Sequence, residues 1–148
     1  MSKEQQYQGL LKQAAALFEG ENNTIANMSN LCALLHHSFG FWWTGFYLVE
    51  NNELVLGPFQ GPVACTRIGF GKGVCGTAWK ENKPLVVPNV HEFEGHITCS
   101  ADSNSEIVLP VYNQNQCIGV FDVDSRDFDT FDNTDVVYLQ KLLSLITK

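Results

Sequence analysis

The sequence predicts an α+β fold in which one antiparallel sheet carries helices on one face and two long loops on the other. Apolar residues recur at helical spacing near both ends of the chain, and short apolar strands joined by tight turns lie between them. Strands of this kind pair antiparallel, and helices cover one face of the sheet. A length of 148 residues is that of one domain, so residues 1–148 are predicted to fold as one unit.

Helical spacing predicts four helices. The first covers residues 5–18, and the second begins at Thr24, which is predicted to be its N-cap. A short helix over residues 74–81 is entered through glycines, and the last helix starts near residues 132–134.

Short apolar segments bounded by turn residues predict the strands. These segments cover residues 41–49, 54–59, 85–87, 107–112 and 117–124. Long connections in a compact domain are either disordered or functional, and two such connections span residues 61–76 and 88–104. Because the two connections taken together are rich in glycine, valine, isoleucine and histidine, we expect them to fold as a cap over a pocket.

Charge and hydropathy argue against several classes of partner. The net charge is −7 and no basic cluster occurs, which disfavours nucleic acid and anionic membranes. No apolar run approaches the roughly 20 residues that a membrane span requires. The N-terminal segment lacks the apolar stretch of a secretory signal, and the cysteine count of five is odd. Both features indicate a reducing, cytoplasmic location.

The five cysteines fall into two groups by their neighbours. Cys65, Cys75 and Cys99 are flanked by glycine, proline or small polar residues, and we expect them to be accessible. Cys32 and Cys117 lie in apolar segments, where a free cysteine serves as a small core residue. Accessible thiols oxidise, so the first group calls for a functional explanation.

Three explanations compete for the loop cysteines. One is a zinc site completed by His91 and His96. Zinc ligands come in closely spaced pairs, whereas nine residues separate Cys65 from Cys75 and twenty-three separate Cys75 from Cys99. A structural disulfide is disfavoured by the expected reducing location. Thiol redox chemistry, in which one cysteine attacks and another resolves, is the explanation that we favour.

Three carboxylates lie inside apolar strand segments, namely Glu106, Asp122 and Asp124. The two aspartates share one strand face with Ile118 and Val120, so the acids continue an apolar side. A solvent-facing side is the alternative, and we favour the edge of a pocket. Clustered carboxylates repel one another, so at least one pKa should rise and leave a proton donor near neutral pH.

Four aromatic residues occupy the first predicted strand. Trp43 and Tyr47 are four residues apart and therefore share a face. Trp42 and Phe46 are predicted to point the other way, under the helices. Spacing alone is equally consistent with packing and with ligand contact for the first pair.

Several segments together resemble one known family, the free methionine-(R)-sulfoxide reductases, which are GAF-domain proteins. The segments are GPVACTRI, GKGVCGTAW, VPNVHEFEGHITC, SNSEIVLPV and GVFDVDS. Generic GAF domains share the rhythm of the last segments but not all three cysteines, so the cysteines make the resemblance specific. The resemblance covers nearly the whole chain and implies a GAF-like fold.

The resemblance implies reduction of free L-methionine-(R)-sulfoxide, with no bound cofactor or metal. Cys99 would attack the sulfoxide, release methionine and become a sulfenic acid. Cys65 would then form a disulfide with Cys99, and Cys75 would be a substitute or relay. Thioredoxin or another dithiol would reduce the disulfide.

The resemblance also implies how the substrate is held. Glu106, Asp122 and Asp124 would divide two tasks among them, protonating the leaving oxygen and pairing with the substrate ammonium. Trp43 and Tyr47 would enclose the methyl group.

Two further expectations concern the groups that bind the substrate carboxylate and the oligomeric state. Backbone amides of residues 95–99 are expected to bind the carboxylate, with Arg67 as the nearby basic candidate. The family suggests a homodimer formed through the N-terminal and C-terminal helices. The alternative function is a GAF module that binds a small ligand or senses redox state without turnover.

Overall fold

A computed structural model describes residues 1–99 and 101–147. Within these residues the helices are α1 (Lys3–Phe18), α2 (Thr24–Phe39), α3 (Gly73–Glu81) and α4 (Asn133–Ile146), with one turn of 3-10 helix at Val90–Glu92. The strands are β1 (Trp43–Glu50), β2 (Glu53–Gln60), β3 (Arg67–Gly69), β4 (Leu85–Val87), β5 (Ser105–Asn113) and β6 (Gln116–Ser125). None of these helices is long and apolar enough to cross a membrane.

The strands form one sheet in the order β3-β2-β1-β6-β5-β4. All the paired neighbours run antiparallel, so the predicted α+β fold with an antiparallel sheet is confirmed. The sequence did not predict β3, because it is only three residues long and lies in a glycine-rich connection. β1 and β6 occupy the centre of the sheet, where β1 carries the predicted aromatic pair and β6 carries Asp122 and Asp124, while Glu106 lies on the adjacent strand β5.

The two faces of the sheet have different coverings. One face packs against α1, α2 and α4 in a core that includes Tyr7, Phe46 and Phe121. The opposite face carries a second apolar cluster to which α3 and the two long connections contribute. This second face is where the cap was predicted.

The N-cap of α2 differs from the predicted one. Asn23, not Thr24, lies outside the helix in extended conformation, and its side chain accepts a hydrogen bond from the Ala26 N–H at 2.9 Å. Asparagine is the stronger N-cap because its short amide reaches the N–H groups of the first turn. Thr24 is consequently the first residue of the helix.

A bulge in β6 changes the face on which Ile118 lies. Val111 pairs with Gly119 and Tyr112 pairs with Cys117, so Ile118 is an extra residue on β6. A bulge interrupts the alternation of side chains between the two faces of a strand. Ile118 therefore packs against the helix-side core, and only Val120 of the predicted apolar pair lies on the side of the acids.

Trp42 also departs from its predicted place. β1 begins at Trp43, so the alternation that places Phe46 under the helices does not extend to Trp42. Its ring instead packs against the pocket-side cluster, and the Arg126 guanidinium lies 4.1 Å from its centroid.

Candidate active site

A pocket lies between the second face of the sheet and the two long connections. The space between them is about 550 Å³, a figure that includes open solvent at the mouth. The fold brings seven predicted site residues to its lining: Trp43, Tyr47, Cys75, Cys99, Glu106, Asp122 and Asp124. These residues come from β1, α3, β5, β6 and the connection before β5.

Cys65 and Cys99 are joined by a disulfide bond at this pocket. The bond links the two long connections across 34 positions of sequence, and the Cα atoms are 5.4 Å apart. Both cysteines are only half-buried, so an external thiol has access to this part of the molecule. The pairing is the one that the family resemblance implied, while the separate role of each cysteine stays a prediction.

Trp43 and Tyr47 attach the first long connection to the sheet. The Trp43 indole N–H donates a hydrogen bond to the Pro62 carbonyl at 3.1 Å, and the Tyr47 hydroxyl donates one to the Cys65 carbonyl at 2.9 Å. The two rings stack with centroids 5.8 Å apart. Both side chains are buried, so they form an apolar pocket wall and also fix the position of Cys65.

Gly45 makes room for this aromatic wall. It lies between Trp43 and Tyr47 on the same face of β1, and the Trp43 ring covers it. A Cβ atom at residue 45 would be 2.5 Å from Cη2 of Trp43, which is inside van der Waals contact. A glycine in a strand interior often marks such a close approach.

Cys75 is not the accessible loop thiol that the sequence predicted. It lies on α3, whose residues Val74, Cys75 and Ala78 are all buried against the sheet, and it is 4% exposed. Burial, and next the charge of Asp122, raises the pKa of the Cys75 thiol well above its ordinary value. A thiol that stays protonated is a weak nucleophile.

Glu106, Asp122 and Asp124 form one carboxyl cluster on adjacent strands. Glu106 pairs directly with Asp124 across β5 and β6, and Asp122 is two residues farther along β6 on the same face. Glu106 and Asp122 are 6% and 5% exposed, whereas Asp124 is half-buried towards the rim. The predicted pocket edge is therefore correct for these acids.

All three carboxyls have raised pKa values, but they differ in the interactions that oppose the rise. Burial, and next the charge of Asp122, raises the pKa of Glu106 and of Asp124 well above the ordinary range. Burial also raises the pKa of Asp122, but hydrogen bonds from Glu106 and Cys75 oppose that rise. The hydrogen bonds from Glu106 and Cys75 therefore partly offset the effect of burial on the pKa of Asp122.

Two polar atoms in the pocket lack a hydrogen-bond partner among the described residues. They are Oδ1 of Asp122 and Oγ of Ser103, both buried. Ser103 lies beside Asp124 without meeting the geometry of a hydrogen bond. Unsatisfied buried groups are rare in folded proteins, and in a pocket they indicate room for the polar groups of a ligand.

The basic candidate for the substrate carboxylate is placed differently from the prediction. Arg67 is not among the pocket-lining residues, and its guanidinium pairs with Glu53 at 2.7 Å on the surface. Lys72 and His96 line the pocket instead, and burial lowers the pKa of His96. Lys72 was not among the residues predicted from the sequence. The signal that could have indicated it is its place between two glycines, in the segment GKG that leads into α3.

The zinc set of loop cysteines and histidines, the alternative that the spacing disfavoured, is not assembled among the described residues. Cys65 and Cys99 are bonded to each other, and Nε2 of His91 lies 2.9 Å from Oδ1 of Asn104. Among residues 1–99 and 101–147, the group that has the geometry to hold a metal ion is a different one: Cys75, Glu106 and Asp122.

Comparison with known proteins identifies the family. The GAF domain family model matches residues 9–147. The free methionine-R-sulfoxide reductase of Escherichia coli is 46% identical over 149 aligned residues, which cover 100% of this chain and 90% of that protein. This chain belongs to the GAF-domain free methionine-R-sulfoxide reductase family. The free methionine-R-sulfoxide reductase of Saccharomyces cerevisiae is 41% identical, with coverage of 100% of this chain and 87% of that protein.

Solved structures of the same family share the fold closely. The free methionine-R-sulfoxide reductase of Neisseria meningitidis, in complex with its substrate, superposes with a TM-score of 0.95 at 45% identity. The match covers 99% of this chain and 89% of that one. The reductase of Staphylococcus aureus, also in complex with substrate, gives a TM-score of 0.90 at 49% identity over 95% of this chain and 92% of that one. The GAF fold of the present chain is therefore that of substrate-binding family members.

Proposed function

We propose that this protein reduces free L-methionine-(R)-sulfoxide to methionine and that Cys99 is its nucleophile. The observation that carries the proposal is the Cys65–Cys99 disulfide at a pocket whose wall holds three carboxyls with raised pKa values. A disulfide of this kind is the product expected after one reduction. The names of the family members supply the substrate class.

The first step transfers oxygen from substrate to enzyme. The Cys99 thiolate attacks the sulfoxide sulfur while a carboxyl protonates the oxygen, and methionine leaves as Cys99 becomes a sulfenic acid. The substrate sulfur gains two electrons and the Cys99 sulfur loses two. Glu106 and Asp124 are the proton donors, because burial holds their pKa values well above the ordinary carboxyl range.

The second step forms the disulfide. The Cys65 thiol condenses with the Cys99 sulfenic acid and water leaves. In the resulting disulfide the Cα atoms of Cys65 and Cys99 are 5.4 Å apart, which is an ordinary separation for such a bond.

The third step restores the two thiols with an external dithiol, for which thioredoxin is the proposed donor. Its thiolate attacks one sulfur of the disulfide through a mixed disulfide, and its second thiol releases the reduced enzyme. Support comes from the half-buried state of both cysteines and from the exposed neighbour Val63, which is 89% exposed. These features leave an approach for a second protein.

The pocket offers a separate partner for each end of the substrate. Asp122 pairs with the ammonium, because hydrogen bonds from Glu106 and Cys75 oppose the rise of its pKa, and its unpartnered Oδ1 accepts one of the ammonium hydrogen bonds. Lys72 and the backbone amides of residues 95–99 bind the carboxylate. The rings of Trp43 and Tyr47 enclose the methyl group.

Two further features of the proposal concern where and how the protein acts. We place it in the cytoplasm, since Cys32, Cys75 and Cys117 remain free thiols beside a disulfide that must be reduced in each cycle. The proposed homodimer uses the helical face, on which Leu17 and Ile25 are 48% and 51% exposed. Light scattering coupled to gel filtration tests the dimer.

The deciding experiment is a single-turnover assay with pre-reduced protein. Wild type and Cys99→Ser are mixed with excess free methionine-(R)-sulfoxide in the absence of reductant, and the methionine formed is counted. We expect about one methionine per chain for wild type and none for Cys99→Ser. Binding of the sulfoxide without methionine formation by wild type would favour the ligand-binding or redox-sensing alternative.

A further inference from the structure

One thiol and two carboxyls meet at the inner wall of the pocket. The Sγ atom of Cys75 and one carboxyl oxygen each of Glu106 and Asp122 all lie within 4.8 Å of one another. All three side chains are buried, at 4%, 6% and 5% exposure. Ligand atoms around one tetrahedral zinc ion are about 3 to 4 Å apart, since Zn–S and Zn–O bonds are about 2.3 and 2.0 Å. Small side-chain rotations would bring these atoms to that spacing.

An independent feature of the same group indicates a missing ligand. Oδ1 of Asp122 is buried, lines the pocket and has no hydrogen-bond partner among the described residues. A buried carboxylate oxygen without a partner carries the full cost of desolvation. A cation at the centre of the group would satisfy this oxygen.

Charge and ligand type narrow the choice of cation. Among the described residues that line the pocket, Lys72 is the one with a lysine or arginine side chain, and it is exposed at the edge. A thiolate with two carboxylates carries three negative charges, which a divalent cation largely offsets. A thiolate ligand favours zinc over magnesium or calcium, which prefer all-oxygen shells.

We infer that Cys75, Glu106 and Asp122 form a binding site for one Zn²⁺ ion, which occupies the substrate pocket and excludes the substrate. The protons of the ligating thiol and carboxyls pass to solvent as the ion binds. A water molecule completes the shell on the pocket side. Exclusion of substrate rests on the proposed function, but binding of zinc does not. Cys75 would thereby make the reductase responsive to free zinc.

Zinc binding is measured on the oxidised full-length protein, in which the Cys65–Cys99 disulfide keeps both sulfurs out of the shell. Equilibrium dialysis with Zn²⁺ should give one ion per chain for wild type. Cys75→Ala and Asp122→Asn should each weaken binding at least tenfold. The matched control is Cys117→Ala, which removes a half-buried free thiol on β6 outside the pocket lining and should bind as wild type does.

Cobalt gives a direct signature of the thiolate ligand. Co²⁺ added to wild type should produce the thiolate-to-metal charge-transfer absorption of a Cys-bound ion, and Cys75→Ala should lose this absorption. Circular dichroism checks that each variant is folded. If Cys75→Ala or Asp122→Asn is not folded, Glu106→Gln serves as a second test of the site. Mg²⁺ should not compete.

A negative result in either measurement would contradict the proposed zinc site. Stoichiometric zinc binding that survives in Cys75→Ala would mean an adventitious ion only, as would the absence of a saturable site in wild type. Neither readout depends on turnover, so these outcomes are distinct from failure of the proposed reductase activity. In an active enzyme, zinc should additionally raise KM for the sulfoxide more than it lowers kcat.

Discussion

The hydroxyl of Tyr47 donates a hydrogen bond to the main-chain carbonyl of Cys65 at 2.9 Å. Tyr47 lies in the central strand β1 and is 2% exposed, whereas Cys65 lies in a connection that leaves the sheet. The bond therefore ties the connection that carries Cys65 to a central strand of the sheet. Burial, and next the charge of Asp122, raises the pKa of Tyr47, so the hydroxyl stays a donor throughout the neutral range.

Tyr47→Phe should separate the two chemical steps. Methionine formed in a single turnover should stay near one per chain, while formation of the Cys65–Cys99 disulfide should slow by about two- to tenfold, since a hydrogen bond of this kind contributes about 0.5–1.5 kcal/mol. Quenched-flow sampling with thiol alkylation measures both quantities. Tyr112→Phe removes a hydroxyl that bonds Asn82 away from the pocket and is the matched control. Equal slowing in the two variants would contradict the anchoring role.

The two disulfide cysteines should differ in which step they support. Cys99→Ser should abolish methionine formation even in one turnover, because the nucleophile is gone. Cys65→Ser should keep the first turnover but lose thioredoxin-driven cycling, because the sulfenic acid has no resolving partner. Mass-spectrometric mapping after one wild-type turnover should find Cys65 bonded to Cys99, with Cys32 and Cys117 reduced. A disulfide containing either of the last two would contradict the division of the cysteines.

The sequence predicted the sheet, the three helices on its covered face and the acids of the pocket, because regular alternation fixes which side chains share a face. It failed where the backbone departs from regularity. The extra residue in β6 moved Ile118 to the other face, and no pattern in the segment CIGVF marks that bulge. The helix that contains Cys75 was predicted, but the thiol was expected to be accessible, because the sequence does not show that this short helix packs its Val74, Cys75 and Ala78 side chains against the sheet.

The two basic residues show a second reason why a sequence prediction was wrong. Arg67 and Lys72 are both near the loop cysteines in sequence, and their positive charge does not distinguish them. Arg67 lies in β3 directly after Thr66 and opposite Val55, and it pairs with Glu53 on the surface. Lys72 precedes α3 at the pocket. Only the register of a three-residue strand decides between them, and that register depends on tertiary pairing.

Cys75 should act through Asp122 rather than as a spare resolving cysteine. Burial raises the pKa of Asp122 and a hydrogen bond from Cys75 opposes that rise, so Cys75→Ala should raise the pKa further and delay formation of the ammonium-binding carboxylate to higher pH. KM in Cys75→Ala should therefore rise most at low pH, while Cys75→Ser, which retains a donor, should follow wild type. Thioredoxin-driven cycling should continue in both variants. Loss of cycling in Cys75→Ser would instead assign the thiol a redox role.

Glu106→Gln and Asp124→Asn should each lower kcat by about 10²- to 10⁴-fold, the usual contribution of general acid catalysis. In wild type the protonated carboxyl is the active form, so kcat should fall as pH rises through the raised pKa of these acids. The variants should lack this limb of the profile. Losses below tenfold in both variants would mean that the carboxyls are only a polar lining.

The same acids should give the fold an unusual pH dependence. A carboxyl whose pKa is raised in the folded state binds more protons there than in the unfolded chain, so the free energy of unfolding falls as pH rises above the ordinary carboxyl range. The midpoint of thermal unfolding should therefore drop from acid towards neutral pH, and Glu106→Gln should flatten that drop. This readout needs no turnover and checks the protonation state independently of kcat.

The enzyme should reduce free methionine-(R)-sulfoxide and reject the same group inside a peptide. The pocket lies beneath the long connections, and Ile97 and Cys99 of the second connection contribute to its lining, so the whole amino acid is covered. An amide in place of the ammonium leaves Asp122 without its cation, and an amide in place of the carboxylate leaves Lys72 without its anion. The unpaired carboxylate of buried Asp122 costs roughly 1–3 kcal/mol, which is about five- to 150-fold in kcat/KM, whereas loss of the anion beside exposed Lys72 costs only about 0–1 kcal/mol.

Three substrates compared under identical conditions test this specificity: the free sulfoxide, its N-acetyl derivative and a peptide with the sulfoxide at an internal position. We expect kcat/KM to fall in that order, with the N-acetyl compound losing the Asp122 contact alone. Asp122→Asn should reduce the difference in kcat/KM between the free sulfoxide and its N-acetyl derivative, because the carboxylate that distinguishes these two substrates is gone. Comparable kcat/KM values for all three would mean an open site, since only a covered pocket makes the free ammonium and carboxylate necessary.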